Sequence, residues 1–347
     1  MNYTKHLIAS GTSIKSALSQ LNELAQDAIL FVVDSEKRLV GSLSDGDVRR
    51  GLINNLTMES PVDDFVYRKP RYLKQGSYSF ENVKEIRSAG VQIVPLIDQN
   101  NSVINVVNFR FLRSYLPIDA MIMAGGRGER LRPLTDTVPK PLLQVGDKPI
   151  IDHHIDRLIS YGIDTIHFSL GYKGDMLKSH LEKKKPENVA MHYVFEDTPL
   201  GTIGAASKIN NFHNDTILLT NSDLLTNLNY EQFYEEFVSK GADLMIATTS
   251  YEVKVPYAVM ETNDTKVVSF KEKPTYTFQS NSGIYLMKRS LLELIPQNKF
   301  YNATDLISEA IEQKKSVMYF PIIGYWLDIG KPNDYEKAQR DIKHIQF

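Results

Sequence analysis

The chain has 347 residues, is 42% apolar and carries a formal net charge of −2. That length favours about two domains with sizeable cores, and the balanced charge excludes a bulk electrostatic case for nucleic acid or an anionic membrane as partner. The absence of cysteine rules out disulfides and thiolate metal sites; with no apolar run near the roughly 18–20 residues of a membrane span and no signal-peptide profile in Met1-Asn-Tyr-Thr-Lys-His6, a cytoplasmic protein is expected.

In chain order, the first 117 residues hold two segments built to one plan, over approximately 1–62 and 63–117. Ile14 to Leu24 has helical spacing and Ala28 to Val33 is a strand run. A turn at Asp34-Ser-Glu-Lys37, a second strand from Leu39 to Leu43 and Asp47-Val-Arg-Arg-Gly-Leu52 follow. The order then repeats with Ser79 to Ser88, Gln92 to Ile97, a turn at Asp98-Gln-Asn-Asn101, Val103 to Val107, and Phe109 to Tyr115. This is a duplicated βαββα-like unit. Both copies resemble cystathionine-β-synthase-type (CBS) modules, which work as tandem pairs and hold ribose through a G-h-h-[TS]-x-x-D string. Gly41-Ser-Leu-Ser-Asp-Gly-Asp47 fits that string, so the resemblance gives Ser44 and Asp47 contacts to an adenosine nucleotide. Asn105-Val-Val-Asn-Phe-Arg-Phe111 lacks both the glycine and the aspartate. The pair is expected to sense a ligand or to dimerise the chain, and a homo-oligomer is expected through this or the second domain.

The second domain, 118–347, alternates strands and helices. Strands are expected at Ile118–Met123, Thr165–Leu170, Ala190–Phe195, Thr216–Leu219 and Asp243–Thr249. Helices are expected at Ile150–Ser160, Asp175–Lys184 and Tyr230–Lys240. Such alternation implies an α/β fold with a largely parallel sheet, helices on both faces and ligands at the C-terminal strand ends. No hexapeptide repeat follows.

The densest signal lies after the first of these strands. Gly125, Gly126 and Gly128 let the backbone turn and present consecutive N–H groups, with Arg127, Arg130 and Lys140 nearby. Backbone donors and fixed cations after a strand suit a polyanion such as a triphosphate. The segment is not a dinucleotide fingerprint, because Arg130 stands where the last glycine belongs, nor does it carry a P-loop string. Pro133, Pro139 and Pro141 forbid a helix of useful length directly after it. Met123 to Leu142 closely resembles the sugar-1-phosphate nucleotidyltransferase signature G-G-x-G-x-R-L-x-P-L-T…P-K-P. The resemblance implies a Rossmann-like (GT-A type) mixed sheet and an NTP-dependent transfer of a nucleoside monophosphate to a sugar 1-phosphate.

The remaining roles are what that resemblance implies. Ala124, Gly125, Gly126 and Gly128 bind the nucleotide. Arg130 steers the triphosphate and Lys140 contacts phosphate at the reacting centre, while Arg127 and Arg132 fit a solvated surface equally well. Asp223, ending Thr216-Ile-Leu-Leu-Thr-Asn-Ser-Asp223, and Asp328, in Trp326-Leu-Asp-Ile-Gly330, hold Mg²⁺. Glu196-Asp-Thr-Pro-Leu-Gly-Thr202 resembles a string in which Leu200 and Gly201 read the base; Thr202 either joins them or caps a helix starting near Ile203. Lys273 binds the sugar phosphate, and Glu272, Asn281 and Gly283 the sugar, with a ligand-free bulge also open for Gly283. Trp326 either floors the sugar site or packs beside Asp328. The Glu196 string looks most like mannose- or heptose-type guanylyltransferases, which favours GTP; CTP, UTP and dTTP stay open, as does a regulatory nucleotide-binding protein without turnover. His153 and His154 diverge on a helix and fit core or surface better than a metal.

Overall fold

The computed structural model describes residues 3–345; Met1 and Asn2 of the N-terminal hexapeptide, and the last two residues of the second domain, lie outside the described residues. The chain divides into two compact units. One takes in the chain up to Asp119 together with Asp156–Ile166 and Glu182–Met191; the other takes in Ala120–Ile155, His167–Leu181 and the chain from His192 onward.

Within the first unit the internal repeat is visible as two sheets of identical plan. The first copy runs β1 (Leu7–Ala9), α1 (Ile14–Leu24), β2 (Ile29–Val33), β3 (Leu39–Ser44) and α2 (Asp45–Ile53). Its sheet order is β1-β2-β3, with β1 parallel and β3 antiparallel to β2. The second copy runs β4 (Leu73–Lys74), α3 (Phe80–Ser88), β5 (Ile93–Ile97) and β6 (Val103–Asn108), in the order β4-β5-β6 and with the same directions. Helix α1 starts at Ser13, whose hydroxyl accepts from the Ser16 N–H, and buries Ile14, Ala17, Leu21 and Leu24 on one stripe. Strands β1 and β4, of three and two residues, are too short to show a period.

The expected helical run at Phe109–Tyr115 does not form a counterpart to α2. In the first copy Asp47 accepts from both the N–H and the hydroxyl of Ser44, a reciprocal cap. In the second, the Asn108 side chain accepts from the Arg110 N–H and closes a turn. The chain then gives its Arg113 and Leu116 N–H groups to Ser160 and Tyr161 instead of to a helix.

The central sheet has seven strands in the order β11-β10-β7-β12-β17-β14-β18. These are β7 (Ile118–Ala124), β10 (Thr165–Leu170), β11 (Ala190–Phe195), β12 (Thr216–Asn221), β14 (Leu244–Lys254), β17 (Thr275–Lys288) and β18 (Val317–Pro321). Helices α4 (Ile150–Ser160), α5 (Gly174–Lys184), α6 (Tyr230–Ser239), α7 (Ala303–Glu312) and α8 (Pro332–Asp341) intervene, with short pairs β8 (Gln144–Val145) and β9 (Lys148–Pro149), β13 (Leu224–Thr226) and β19 (Trp326–Asp328), and β15 (Val259–Asn263) and β16 (Lys266–Lys271). The sheet is mixed, because β17 lies antiparallel to both β12 and β14. Strand β7, buried at every residue, sits between β10 and β12. The chain moves outward from it on one side and later returns on the other, which opens a crevice at its C-terminal end. Among the described residues no helix is long and apolar enough to cross a membrane.

A histidine is built into this sheet. His167 of β10 is fully buried, stacks on His192 at 4.8 Å and packs on Phe212 at 4.6 Å, and neither ring nitrogen has a hydrogen-bond partner. Burial, with His192 and His213 adding to it, pushes its pKa from 6.5 down to about 4. The folded chain therefore keeps this ring neutral where the unfolded chain takes up a proton. Its contribution to stability is complete above pH 6.5 and is lost as pH falls toward about 4, at no more than about 1.4 kcal/mol per pH unit. Urea midpoints at pH 7 and pH 5 should fall less in His167→Phe than in the wild type; an equal fall in both contradicts this account.

Candidate active site

Three segments distant in sequence meet through one apolar cluster. Leu131 and Leu143 flank the proline-rich stretch, Leu225 lies on β13, and Leu327 and Ile329 bracket Asp328; these pack together with Val145, Ile150 and Ala338. Strands β13 and β19 pair with Leu224 opposite Asp328, and the Ile329 N–H donates to the Asp223 carbonyl. The backbone thus fixes the two aspartates beside each other. Pro139 and Pro141 allow only a single 3₁₀ turn at Lys140–Leu142, as the prolines imply, and that turn buries Lys140.

The Lys140 ammonium donates to Asp223 Oδ2 and lies 3.7 Å from Asp328 Oδ1. Asp223 Oδ1 and Asp328 Oδ1 are both buried and accept no hydrogen bond. The Asp328 carboxyl is held above the usual carboxylate range, first by burial and then by Asp223, against the opposing pull of Lys140 and Arg130. Arg130 is exposed on the 3₁₀ turn Glu129–Leu131, with Nη2 against Gly330. Arg127 and Arg132 are exposed and pair with Glu129 and Asp136.

The glycine loop forms one wall of a cleft of about 550 Å³ at the end of β7. Gly125, Gly126, Gly128, Arg130, Lys140, Gly201, Thr202 and Asp223 all line it, so most of the residues expected in a nucleotide site converge. Ala124 is buried at the root of the loop, and Leu200 lies buried beneath it. A Cβ at Gly125 would lie 2.5 Å from the Glu196 carboxylate, so any side chain there would displace Glu196. Glu196 in turn accepts from the Ser169 hydroxyl and from the Leu200 N–H, which draws the 196–202 segment onto the loop.

Thr202 does not cap a helix near Ile203, where only a 3₁₀ turn at Gly204–Lys208 forms without a side-chain cap. Its hydroxyl accepts from the Ala303 N–H at the start of α7, 101 residues away, a partner that local spacing could not show. Glu272 and Lys273 lie in the exposed turn after β16 and are not on the cleft wall. Asn281 is exposed on β17, its side chain accepting from the Gly283 N–H. At Gly283 the β14–β17 register slips; with φ at +77° a Cβ there would lie 2.4 Å from Asn221, a cleft residue. Trp326 is half-buried and donates its indole N–H to the Ser282 carbonyl at 3.0 Å. His153 and His154 are buried, with His153 bonded to the Val145 carbonyl.

Sequence reasoning passed over Ser169, Asn221 and Asn302, polar residues at strand or helix ends that line the cleft. It also passed over Tyr172. The Tyr172 N–H donates to the Gly125 carbonyl, its hydroxyl to the carbonyls of Thr135 and Asp136, and Lys173 Nζ to Asp136 as well. Both ends of the loop that carries Arg130 are therefore fastened to one dipeptide.

A glycine cradle, fixed cations and paired carboxylates at the C-terminal edge of an α/β sheet define a class of phosphorus-transfer sites. Residues 119–345 match the nucleotidyl transferase family, and the chain belongs to it. It is 30% identical over 232 residues to the D-glycero-α-D-manno-heptose 1-phosphate guanylyltransferase of Aneurinibacillus thermoaerophilus, covering 65% of this chain and 99% of that protein. Among solved structures it resembles a protein assigned as a glucose-1-phosphate thymidylyltransferase from Bacillus anthracis, in complex with a sucrose (25% identity, TM-score 0.54, 66% of this chain and 97% of that one). It also resembles HddC from Yersinia pseudotuberculosis complexed with GMP-PN (28% identity, TM-score 0.50, 65% and 99%).

Tyr172→Phe removes the two hydroxyl contacts and keeps the ring and the backbone bond. If the glycine loop receives the triphosphate, loss of such bonds at its ends should raise KM for the nucleoside triphosphate roughly three- to tenfold, with kcat moved less. Steady-state pyrophosphate release measures both; an unchanged KM contradicts the positioning role.

Proposed function

We propose that this enzyme transfers GMP from GTP to a sugar 1-phosphate of mannose or heptose type, releasing pyrophosphate. The observation that carries the reading is the pair of aspartates at one buried lysine, each with a buried carboxylate oxygen that accepts no hydrogen bond, at the mouth of the glycine loop. A phosphate oxygen of the sugar 1-phosphate attacks the α-phosphorus and pyrophosphate leaves in line. The nucleophile is already an anion, so no general base is required; the task is to bring two polyanions together and to stabilise charge on the α-phosphoryl oxygens. The loop N–H groups of 125–128 and Arg130 receive the triphosphate, and Lys140 serves the reacting phosphate.

Two orphaned carboxylate oxygens suit a hard cation. Mg²⁺ is held by one or two carboxylates and keeps water and substrate phosphates in its remaining positions. Asp223 and Asp328 would hold it, and when bound it would supply positive charge to the phosphates. For the sugar, Glu272 and Lys273 lead through β17 to Asn281 and to Gly283, which abuts Asn221 of the cleft; that continuity supports assigning them to the sugar 1-phosphate. The guanylyltransferase relative and the GMP-PN complex favour GTP, while the thymidylyltransferase neighbour keeps dTTP as the alternative. An NTP substrate fits a cytoplasmic site of action.

Pyrophosphate release with each NTP and a panel of sugar 1-phosphates should be greatest with GTP and should require Mg²⁺. Asp223→Asn and Asp328→Asn should each lower kcat by roughly 10²–10³. Release that survives both substitutions together removes the metal assignment; release with another NTP alone removes the guanylyl reading.

We also read the N-terminal repeats as a CBS pair that regulates or dimerises the enzyme. The two β4-type and β1-type sheets of identical order support this, and Ser44 and Asp47 are the expected contacts to an adenosine nucleotide. In the structure both serve the α2 cap, and Asp47 also pairs with Arg50. If a nucleotide displaces these contacts, AMP or ATP should raise the melting temperature of the wild type and not of Asp47→Ala; no shift with either nucleotide leaves dimerisation as the role.

A further inference from the structure

Residues 299–302 are fastened along the 200–204 segment that walls the cleft. The Tyr301 N–H donates to the Leu200 carbonyl at 2.9 Å, and the Tyr301 carbonyl accepts from the Ile203 and Gly204 N–H groups at 3.1 Å each. Side chains lock the join. The Asn302 carboxamide oxygen accepts from the Thr202 N–H, and the Thr202 hydroxyl accepts from the Ala303 N–H. The two segments lie so close that two positions need glycine. A Cβ at Gly201, where φ is +77°, would lie 2.6 Å from the Tyr301 carbonyl oxygen, and one at Gly204 2.6 Å from that of Lys299.

This join sets the direction of two adjacent aromatic side chains. Tyr301 packs on the core cluster that contains Ile217 and Leu219 of β12, Leu244 of β14 and Leu306 of α7, and its hydroxyl donates to Glu309 of α7. Phe300 turns the other way. It is 63% exposed and lines the cleft that holds the glycine loop, Lys140 and Asp223. Among the described residues lining that cleft, Phe300 is the aromatic one.

We propose that Phe300 is the platform on which the base of the nucleoside triphosphate stacks. The proposal rests on the reading of this cleft as the nucleotide site. The charged groups of the cleft, Arg130, Lys140 and Asp223, suit the phosphates and their counter-ion. A phenyl face offers a phosphate neither a charge nor a hydrogen bond, whereas every base has a π-face of its own. Phe300 is also held in advance: the backbone bonds of Tyr301 and the Asn302–Thr202 contacts fix the chain on its C-terminal side, so less freedom is lost when a base docks. Stacking tolerates any base. Phe300 therefore supplies affinity for the nucleoside part of the substrate and leaves the choice among bases to groups that read the base edge.

Steady-state pyrophosphate release with GTP, and with any other NTP the wild type accepts, tests it alongside competition by inorganic tripolyphosphate. Phe300→Ala should raise KM for each of these NTPs roughly five- to a hundredfold, and Phe300→Tyr should recover most of that loss. The inhibition constant of tripolyphosphate, which carries no base, should not follow KM. Phe300→Trp places an indole at the site. Its emission should be quenched by the NTP and not by tripolyphosphate, read against the single Trp326 of the wild type. An unchanged KM in Phe300→Ala, with the wild type active, overturns the stacking role and leaves the site assignment standing. A KM and a tripolyphosphate constant that rise together also overturn it, because the wall has then been distorted rather than a stack lost. A wild type that releases pyrophosphate from no NTP overturns the site assignment and this proposal with it.

Discussion

The contact of Lys140 with Asp223 and Asp328 is the constraint around which the second unit is arranged. An ammonium taken out of water is costly unless opposite charge is close, and stripping one partner from such a group typically costs about 3–5 kcal/mol. The fold meets that demand with backbone geometry. Strands β13 and β19 deliver the two carboxylates side by side, and the apolar cluster of Leu131, Leu143, Leu225, Leu327 and Ile329 ties the lysine turn to both strands. One packing event thus assembles the charged centre from segments near residues 140, 223 and 328.

That assembly explains what could be read in advance. The glycine loop was legible because its requirements are local: a buried strand, turn-permitting glycines, and prolines that stop a helix. Strand–helix alternation was legible for the same reason, and the expected runs at Ile150–Ser160, Thr165–Leu170 and Ala190–Phe195 coincide with elements of the structure. The proximity of Asp223 and Asp328 was not legible from their spacing, because it depends on the short β13–β19 pairing of strands distant in sequence, and only a family resemblance suggested it. Thr202 shows the same limit in reverse. Its local context suggests a cap for the next residues, whereas its hydroxyl reaches Ala303. Tyr172 carries no pattern at all, since all three of its contacts fall on backbone carbonyls, which every residue possesses.

The N-terminal repeats show how a duplicated plan diverges. Both copies keep a parallel pair followed by an antiparallel strand, and both bury a helical stripe against it. They differ where the second helix should start. Ser44 and Asp47 satisfy each other at the head of α2, while Asn108 and its followers lack a matching acid three residues on and fold into a turn. The string Gly-Ser-Leu-Ser-Asp-Gly-Asp therefore has a structural task independent of any ligand, and a nucleotide bound there would compete for a hydroxyl and a carboxylate already engaged.

Strand β17 performs two tasks along one length. From Ser282 to Met287 it is buried between β12 and β14, and from Thr275 to Asn281 it is largely exposed, forming with the end of β14 a two-stranded arm. The change falls at the register slip by Gly283, where a side chain would strike Asn221. A bulge bends a strand and increases its twist, so the arm's direction is set at a residue in contact with the cleft wall. Any substitution that straightened this bulge would disturb Asn221 and re-aim the arm together. The sugar-side candidates Glu272 and Lys273 ride on the same segment, which makes the geometry of one glycine the common origin of the cleft's far wall and of the arm.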